Sequence, residues 1–269
     1  MIPAAFDYCR ATSADDALAK LADFGDDARP LAGGQSLIPL MRLRLAYPSA
    51  LVDLSGVHDL SYIRVDGEQL RIGAMTTHRA LEASFLVQAE LPLLSQIASQ
   101  IGDPQVRNRG TIGGVVAHAD PAAEYPMLCL MLDAEIVTSR RTCTADEFFL
   151  GQYTTALEAN EIVVEIRFPL AKGPHAYLKF GHTLFDWAIV GVAVQQVSAG
   201  WRVGLANLAD RPVRASSAEA ALANGADAVT ASELASEGLE PTPALRASPE
   251  YKLHLSRELT RRALERARR

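Results

Sequence analysis

Two glycine-rich segments combine residues that could bind an anion. Residues 31–37 follow a predicted strand and precede a predicted helix, and residues 109–114 precede a helix-rich stretch. Glycine lets the backbone adopt a positive φ and approach a ligand closely, and successive N–H groups can then converge on a phosphate. Ser36 and Thr111 add hydroxyl donors. Either segment alone is also typical of an ordinary turn, but two of them in one chain favour a diphosphate ligand.

Other chemistries find little support in the sequence. It contains no G-x-x-x-x-G-K-[ST] loop and no G-x-G-x-x-G after a strand, which excludes the P-loop class and disfavours a Rossmann dinucleotide site. His118 and Asp120 lie close together but are too few for a closed metal site. No Ser/His/Asp or Cys/His arrangement has supporting context. We therefore assign no catalytic residue and no metal ligand.

The composition is typical of a globular protein in a reducing compartment. The sequence is 49% hydrophobic and 22% charged, and its length of 269 residues suggests about two domains, or one domain plus a modest extension. Cys9, Cys129 and Cys143 rule out a disulfide framework and cannot ligate a four-cysteine cluster. No apolar run approaches the ~18 residues of a membrane helix, and no secretory signal is recognisable. We expect a cytoplasmic protein.

The charge distribution narrows the range of partners. Twenty-six Lys and Arg against 32 Asp and Glu give a net charge of −6, which disfavours broad nucleic-acid binding. Residues 252–269 are locally basic, with seven Lys or Arg against two Glu. This stretch is predicted to be a solvated C-terminal helix whose last arginines suit the helix dipole. A docking face for a partner is the alternative.

The elements that must position the two glycine-rich segments form three blocks. Residues 1–56 alternate between strand and helix, which predicts a small α/β unit. Residues 57–172 begin with a hairpin across Asp66-Gly67 and continue with helices and strands. Within this block, residues 104–114 are predicted to be irregular, and a helix is predicted from Asp120-Pro121 to about residue 132.

The third block, residues 173–269, is predicted to be a separate C-terminal domain. Its pattern indicates a meander of three antiparallel strands followed by helices, with a weakly patterned segment at residues 226–248 between them. The strands are predicted at residues 175–182, 187–197 and 201–207, and the helices at residues 217–224 and 248–266.

The wider context of the glycine-rich segments resembles a known family. The stretches AGGQSLIPLMRLRLAYPSALVDLSGV and RNRGTIGGVVAHADPAAEYPMLCLMLDAEI are similar to the FAD-binding medium subunits of molybdenum hydroxylases, the xanthine dehydrogenase and carbon monoxide dehydrogenase group. The similarity runs the length of the chain and includes YLK at residues 177–179. It implies an α+β protein: a vanillyl-alcohol-oxidase-type (PCMH-type) FAD-binding fold in two subdomains, plus the C-terminal domain.

The resemblance also implies roles for individual residues. Glu124 matches an acidic residue at the adenosine end of FAD, Val163 an apolar backbone contact, and Lys179 a lysine near the flavin ring. Trp187 matches an aromatic residue that contacts the flavin in some relatives, and core packing is its alternative role. The residues matching the two pyrophosphate loops are Ala32, Gly33, Gly34, Gln35, Ser36 and Leu37, and Thr111, Ile112, Gly113, Gly114 and Val115. Val115 stands where many relatives have Asn or Ser, so only its backbone could contribute.

The function implied is electron transfer within a larger enzyme. Such a subunit holds FAD non-covalently and passes electrons from the [2Fe–2S] clusters of a small subunit to an external acceptor, while a large molybdopterin subunit oxidises the substrate. A dimer of heterotrimers is the expected assembly. The alternatives are a stand-alone FAD-dependent oxidase or reductase of the same fold, and a partner-binding protein that has lost FAD. The intact glycine segments argue against the last of these.

Overall fold

The N-terminal residues form a small parallel sheet flanked by short helices. The computed structural model describes residues 2–183, 185–244 and 247–269. The first elements are β1 (Asp7–Arg10), α1 (Ala14–Phe24), β2 (Arg29–Leu31), α2 (Leu37–Arg42) and β3 (Ala50–Asp53). The strands lie in the order β1–β3–β2, all parallel, as expected for an α/β unit. The Ser13 hydroxyl accepts a 3.0 Å hydrogen bond from the Asp16 N–H and so caps α1, and Gly25, with a φ of 79°, ends that helix.

A five-stranded antiparallel sheet organises the middle of the chain. After the 3₁₀ turns Leu54–Gly56 and His58–Leu60, its elements are β4 (Ile63–Asp66), β5 (Gln69–Gly73), α3 (His78–Ala83), α4 (Phe85–Glu90), α5 (Pro92–Ala98), α6 (Pro104–Arg109), α7 (Ile112–His118), α8 (Glu124–Met131), β6 (Glu135–Thr138), β7 (Thr142–Thr144), α9 (Ala145–Phe148), β8 (Phe149–Gly151), β9 (Thr154–Thr155) and β10 (Val163–Pro169). The strand order is β4–β5–β10–β6–β7, while β8 and β9 pair separately. The predicted Asp66-Gly67 turn is confirmed, with a φ of 58° at Gly67. Strand β10 is therefore the central strand of the sheet.

Two predictions in this region are wrong. Residues 104–114 are not irregular, because they contain α6 and the first turn of α7. The helix predicted from Asp120 begins instead at Glu124. The Asp120 carboxylate accepts a 2.9 Å hydrogen bond from the Ala122 N–H, so it caps a tight turn before the helix. Sequence alone did not distinguish a capped turn from a capped helix, because the same side chain satisfies the N–H group two residues later in both.

The C-terminal domain contains one strand more than predicted. Its elements are β11 (His175–Phe180), β12 (Val190–Val197), β13 (Gly200–Ala206), β14 (Val213–Arg214), α10 (Ser216–Ala223), α11 (Ala228–Glu233) and α12 (Pro249–Ala267). The sheet is antiparallel in the order β11–β12–β13–β14, so the prediction of three strands is corrected to four. Two residues are too few to show the alternation that marks a strand. Helix α11 was also missed, inside the weakly patterned segment, where the Asp227 carboxylate caps it.

The basic helix α12 buries one face and pairs charges along the other. Leu255, Leu259 and Leu264 are at most 8% exposed and belong to the core of the C-terminal domain. Arg261 and Arg262 donate to the Glu258 carboxylate on the same helix. These pairs fit the solvated-helix interpretation. None of the helices that the structure describes is long and apolar enough to cross a membrane.

Candidate functional site

A cleft of about 440 Å³ brings together residues from all three blocks of the chain. Most of the predicted site residues line it: Ala32, Gly33, Gly34, Gln35, Ser36, Leu37, Thr111, Gly113, Gly114, Val115, Glu124, Val163 and Lys179. Ile112 does not, because its side chain is fully buried in the main core. Residues that are 147 positions apart in sequence thus meet at one site, from Ala32 to Lys179.

The first glycine-rich segment offers free backbone donors. Within the described chain, the N–H groups of the four residues from Gly33 to Ser36 have no hydrogen-bond acceptor. The Ser36 hydroxyl is also unpaired, since α2 begins without a side-chain cap. Gly34 has a φ of 73°, a conformation that favours glycine, and it turns the chain between β2 and α2. Successive free N–H groups at a cleft are an anion-binding arrangement.

The second segment differs from this expectation. The N–H groups of Ile112 and Gly113 donate to the carbonyls of Thr76 and Ala74 at 3.0 and 2.9 Å. Those of residues 114 and 115 donate to the hydroxyl and carbonyl of Thr111. The backbone donors of residues 112–115 are therefore occupied within the protein, whereas the Thr111 N–H has no acceptor among the described residues. The segment contributes Thr111 and the open backbone surface of Gly114 to the cleft.

The glycines allow close contact between the two segments as well as access for a ligand. A Cβ atom on Gly33 would overlap the Arg109 carbonyl oxygen and lie 2.6 Å from the Gly110 Cα. A Cβ atom on Gly113 would lie 2.7 Å from the Ala74 oxygen. Neither glycine has a positive φ, unlike Gly34 and Gly102, which also line the cleft. Gly33 and Gly113 are thus required by packing.

Glu124 and Lys179 form a buried ion pair on the cleft wall. The Lys179 ammonium lies 3.0 Å from Glu124 Oε1, and the two side chains are 7% and 6% exposed. The Tyr177 hydroxyl donates to the same carboxylate, and the ammonium also donates to the Gln100 carbonyl at 2.7 Å. The resemblance implied that Glu124 lies at the adenosine end of FAD and Lys179 near the flavin ring. The structure places the two groups in direct contact, and their assignment to opposite parts of FAD stays a prediction.

His78 is a cleft residue that the sequence did not reveal. It is 2% exposed, its Nδ1 lies 3.2 Å from the buried Tyr125 hydroxyl, and its Nε2 lies 2.5 Å from where a Cβ atom on Gly110 would be. Burial, helped by the nearby Arg107 charge, lowers the pKa of His78 to about 4. The imidazole is therefore neutral at physiological pH. A lone histidine after a helix cap gives no sequence signal for such a position.

This pKa predicts a specific loss of stability in acid. A histidine whose folded pKa is depressed from 6.5 to about 4 stabilises the fold fully above pH 6.5 and loses that contribution as the pH falls towards 4. We expect a loss of up to about 3 kcal/mol over this window. Urea unfolding at pH 4.5 and pH 7 measures it. The His78→Gln variant is the control, and an equal loss in that variant would assign the acid sensitivity to other groups.

Trp187 lies at the open side of the cleft. The strand predicted to include it begins only at Val190, so Trp187 belongs to the connection between β11 and β12. Its side chain is 55% exposed and lines the cleft. Of its two predicted roles, core packing is therefore wrong. An exposed indole in the same cleft as the free N–H groups of residues 33–36 is available to stack on a flat ligand.

Comparison with known proteins identifies the family. The family described as the FAD binding domain in molybdopterin dehydrogenase matches residues 4–171, and the CO dehydrogenase flavoprotein C-terminal domain matches residues 175–267. The chain belongs to this family of FAD-binding subunits. The carbon monoxide dehydrogenase medium chain of Hydrogenophaga pseudoflava is 41% identical, over 99% of this chain and 98% of the relative. The xanthine dehydrogenase FAD-binding subunit of Escherichia coli O157:H7 is 30% identical, over 97% and 95%.

Solved structures agree with this assignment. A chain of carbon monoxide dehydrogenase from Hydrogenophaga pseudoflava superimposes with a TM-score of 0.94 at 42% identity, covering 99% of this chain and 98% of that one. A chain of quinoline 2-oxidoreductase from Pseudomonas putida 86 gives a TM-score of 0.93 at 34% identity, covering 100% and 99%. The predicted FAD-binding fold with a C-terminal domain is therefore confirmed, and the chain belongs to a family of oxidoreductase subunits.

Proposed function

We propose that this chain binds one FAD non-covalently in the cleft and transfers electrons as the medium subunit of a heteromeric molybdenum hydroxylase. The observation that most directly supports this proposal is the series of free N–H groups at residues 33–36. These residues line a cleft together with other residues of the matched FAD-binding region. The bound flavin supplies the redox chemistry, and the protein supplies binding and orientation. No residue of this chain is assigned as a general acid or base.

Different residues of the cleft are proposed to bind different parts of FAD. The N–H groups and hydroxyl from Ala32 to Ser36 bind the pyrophosphate, and Thr111 completes that site with its side chain. The core side chain of Ile112 holds the second segment in place. Gly114, Val115, Leu37 and Val163 give apolar contacts, and the Glu124–Lys179 pair offers a fixed acceptor and donor to the polar edge of the ligand.

The partners follow from what this chain does not carry. Among the described residues, no group of three or more His, Cys, Asp or Glu side chains could hold a metal ion, and Cys129 and Cys143 are buried. A small [2Fe–2S] subunit and a large molybdopterin subunit would provide those centres, in a dimer of heterotrimers in the cytoplasm. The names of relatives as medium chains or medium subunits support a multisubunit enzyme.

We also propose the domain boundaries expected from the sequence. Residues 1–172 form the FAD-binding region, with subdomains at about 1–56 and 57–172, and residues 173–269 form the C-terminal domain. The matched family regions, which end at residue 171 and begin again at residue 175, support this division.

The proposal that this chain holds FAD while its partners hold the metal centres can be tested directly. The chain purified alone is expected to show a flavin absorption spectrum with one FAD per chain, to release that FAD on acid precipitation, and to contain neither iron nor molybdenum. Native co-purification should recover an iron–sulfur subunit and a molybdenum subunit. Flavin that remains in the acid pellet would refute non-covalent binding. A native protein that is active as a single polypeptide would refute the subunit role and favour the alternative, a stand-alone flavoprotein.

A further inference from the structure

Asn207 connects two walls of the cleft. It follows β13 with a φ of 65°, a left-handed conformation that asparagine tolerates better than most residues. Its side-chain amide donates to the carbonyls of Ala188 and Ile189 at 2.8 and 3.2 Å, next to Trp187. Its backbone N–H donates to the Pro121 carbonyl at 2.8 Å, in the turn that leads to Glu124.

Lys252 fixes the orientation of this amide. The Lys252 ammonium, on α12, donates to both the backbone and the side-chain oxygen of Asn207 at 3.2 Å. Lys252 is 2% exposed, and within the residues described it has no carboxylate partner. An ammonium can only donate, so it faces the amide oxygen and leaves the amide nitrogen to hold residues 188 and 189. Burial without a counter-charge is unfavourable for an ammonium, and the two hydrogen bonds to Asn207 offset part of that cost.

We propose that Lys252 and Asn207 are positioning residues that fix the Trp187 wall of the cleft and thereby set the affinity for the flavin cofactor. This inference rests on the proposed function, because the ligand is the FAD proposed above. The C-terminal helix α12, which does not line the cleft, would then act on the cofactor through one asparagine. Neither residue lines the cleft.

The Asn207→Asp variant separates positioning from stability. Aspartate tolerates the left-handed conformation and keeps an oxygen for Lys252, but it has no N–H groups for the carbonyls of residues 188 and 189. We expect a folded protein whose FAD dissociation constant rises on the order of tenfold. In the apoprotein, acrylamide should quench Trp187 emission more strongly, measured in a Trp201→Phe background so that one tryptophan reports.

The Lys252→Met variant tests the second link, and Ser256→Ala on the same helix is its control. Ser256 is fully buried, and among the described residues its hydroxyl bonds only to the Leu253 carbonyl. The Ser256→Ala variant is expected to keep wild-type FAD affinity and Trp187 quenching. Lys252→Met should shift both in the direction of Asn207→Asp. Wild-type affinity and quenching in both variants, with a changed melting temperature only, would overturn the inference. If the wild type binds no FAD, the proposed function fails, while Trp187 quenching in the apoproteins still decides the positioning role.

Discussion

Gly33→Val is expected to abolish FAD binding, with the affinity falling by roughly 100-fold or more. A Cβ atom at this position would overlap the Arg109 carbonyl oxygen, and the backbone on that side cannot give way as a flexible side chain would. The first glycine-rich segment would therefore move away from the second, and the free N–H groups of residues 33–36 would lose their alignment. Fluorescence titration of the apoprotein with FAD measures the loss.

The control for this variant is the same substitution at Gly151, where the structure has room for a side chain. A Cβ atom on Gly151 would meet only a carboxylate oxygen of Asp210, at 3.8 Å, so Gly151→Val should bind FAD as the wild type does. Gly113→Val should also lose FAD, but together with a lower melting temperature of the apoprotein, because it displaces α7 from Ala74. Full flavin content in Gly33→Val would show that the first segment does not hold the pyrophosphate.

Lys179→Met is expected to destabilise the protein by about 3–5 kcal/mol, because it leaves the buried Glu124 carboxylate without its counter-charge. The double variant Glu124→Gln/Lys179→Met should recover part of that stability, since no unpaired charge remains. Urea unfolding of the two single variants and the double variant gives the coupling between the residues. A Lys179→Met protein as stable as the wild type would mean that water reaches the carboxylate, and the pair would then be a surface contact.

The first glycine-rich segment was predictable because its signal is local. A glycine pair and a serine between a strand and a helix indicate a loop with free donors, and the N–H groups of Gly33 to Ser36 have no acceptor in the described part of the chain. The second segment has the same local signal, but the N–H groups of residues 112 and 113 are occupied by the carbonyls of residues 76 and 74. That outcome depends on how α7 packs against the end of β5, which no pattern within residues 109–114 encodes.

The other missed features are also non-local. Glu124 and Lys179 were each identified through the family resemblance, but their contact joins a helix and a strand that are 55 residues apart. His78 enters the cleft because Gly110 leaves space for its ring. The extra strand β14 exists because Val213 and Arg214 meet a partner edge, β13, and too few residues are involved to show a period.

The central place of β10 in its sheet has a consequence for how the chain is made. Strands β5 and β6 both hydrogen-bond to β10, so each keeps an unpaired edge until residues 163–169 have left the ribosome. At ~5–20 residues per second, β5 waits roughly 5–20 s for its neighbour. Exposed strand edges are sites of wrong pairing between nascent chains. The cleft needs Trp187 and Lys179, which emerge later still. Loading of the cofactor is therefore a late event in biosynthesis, and chains truncated before residue 163 are expected to aggregate.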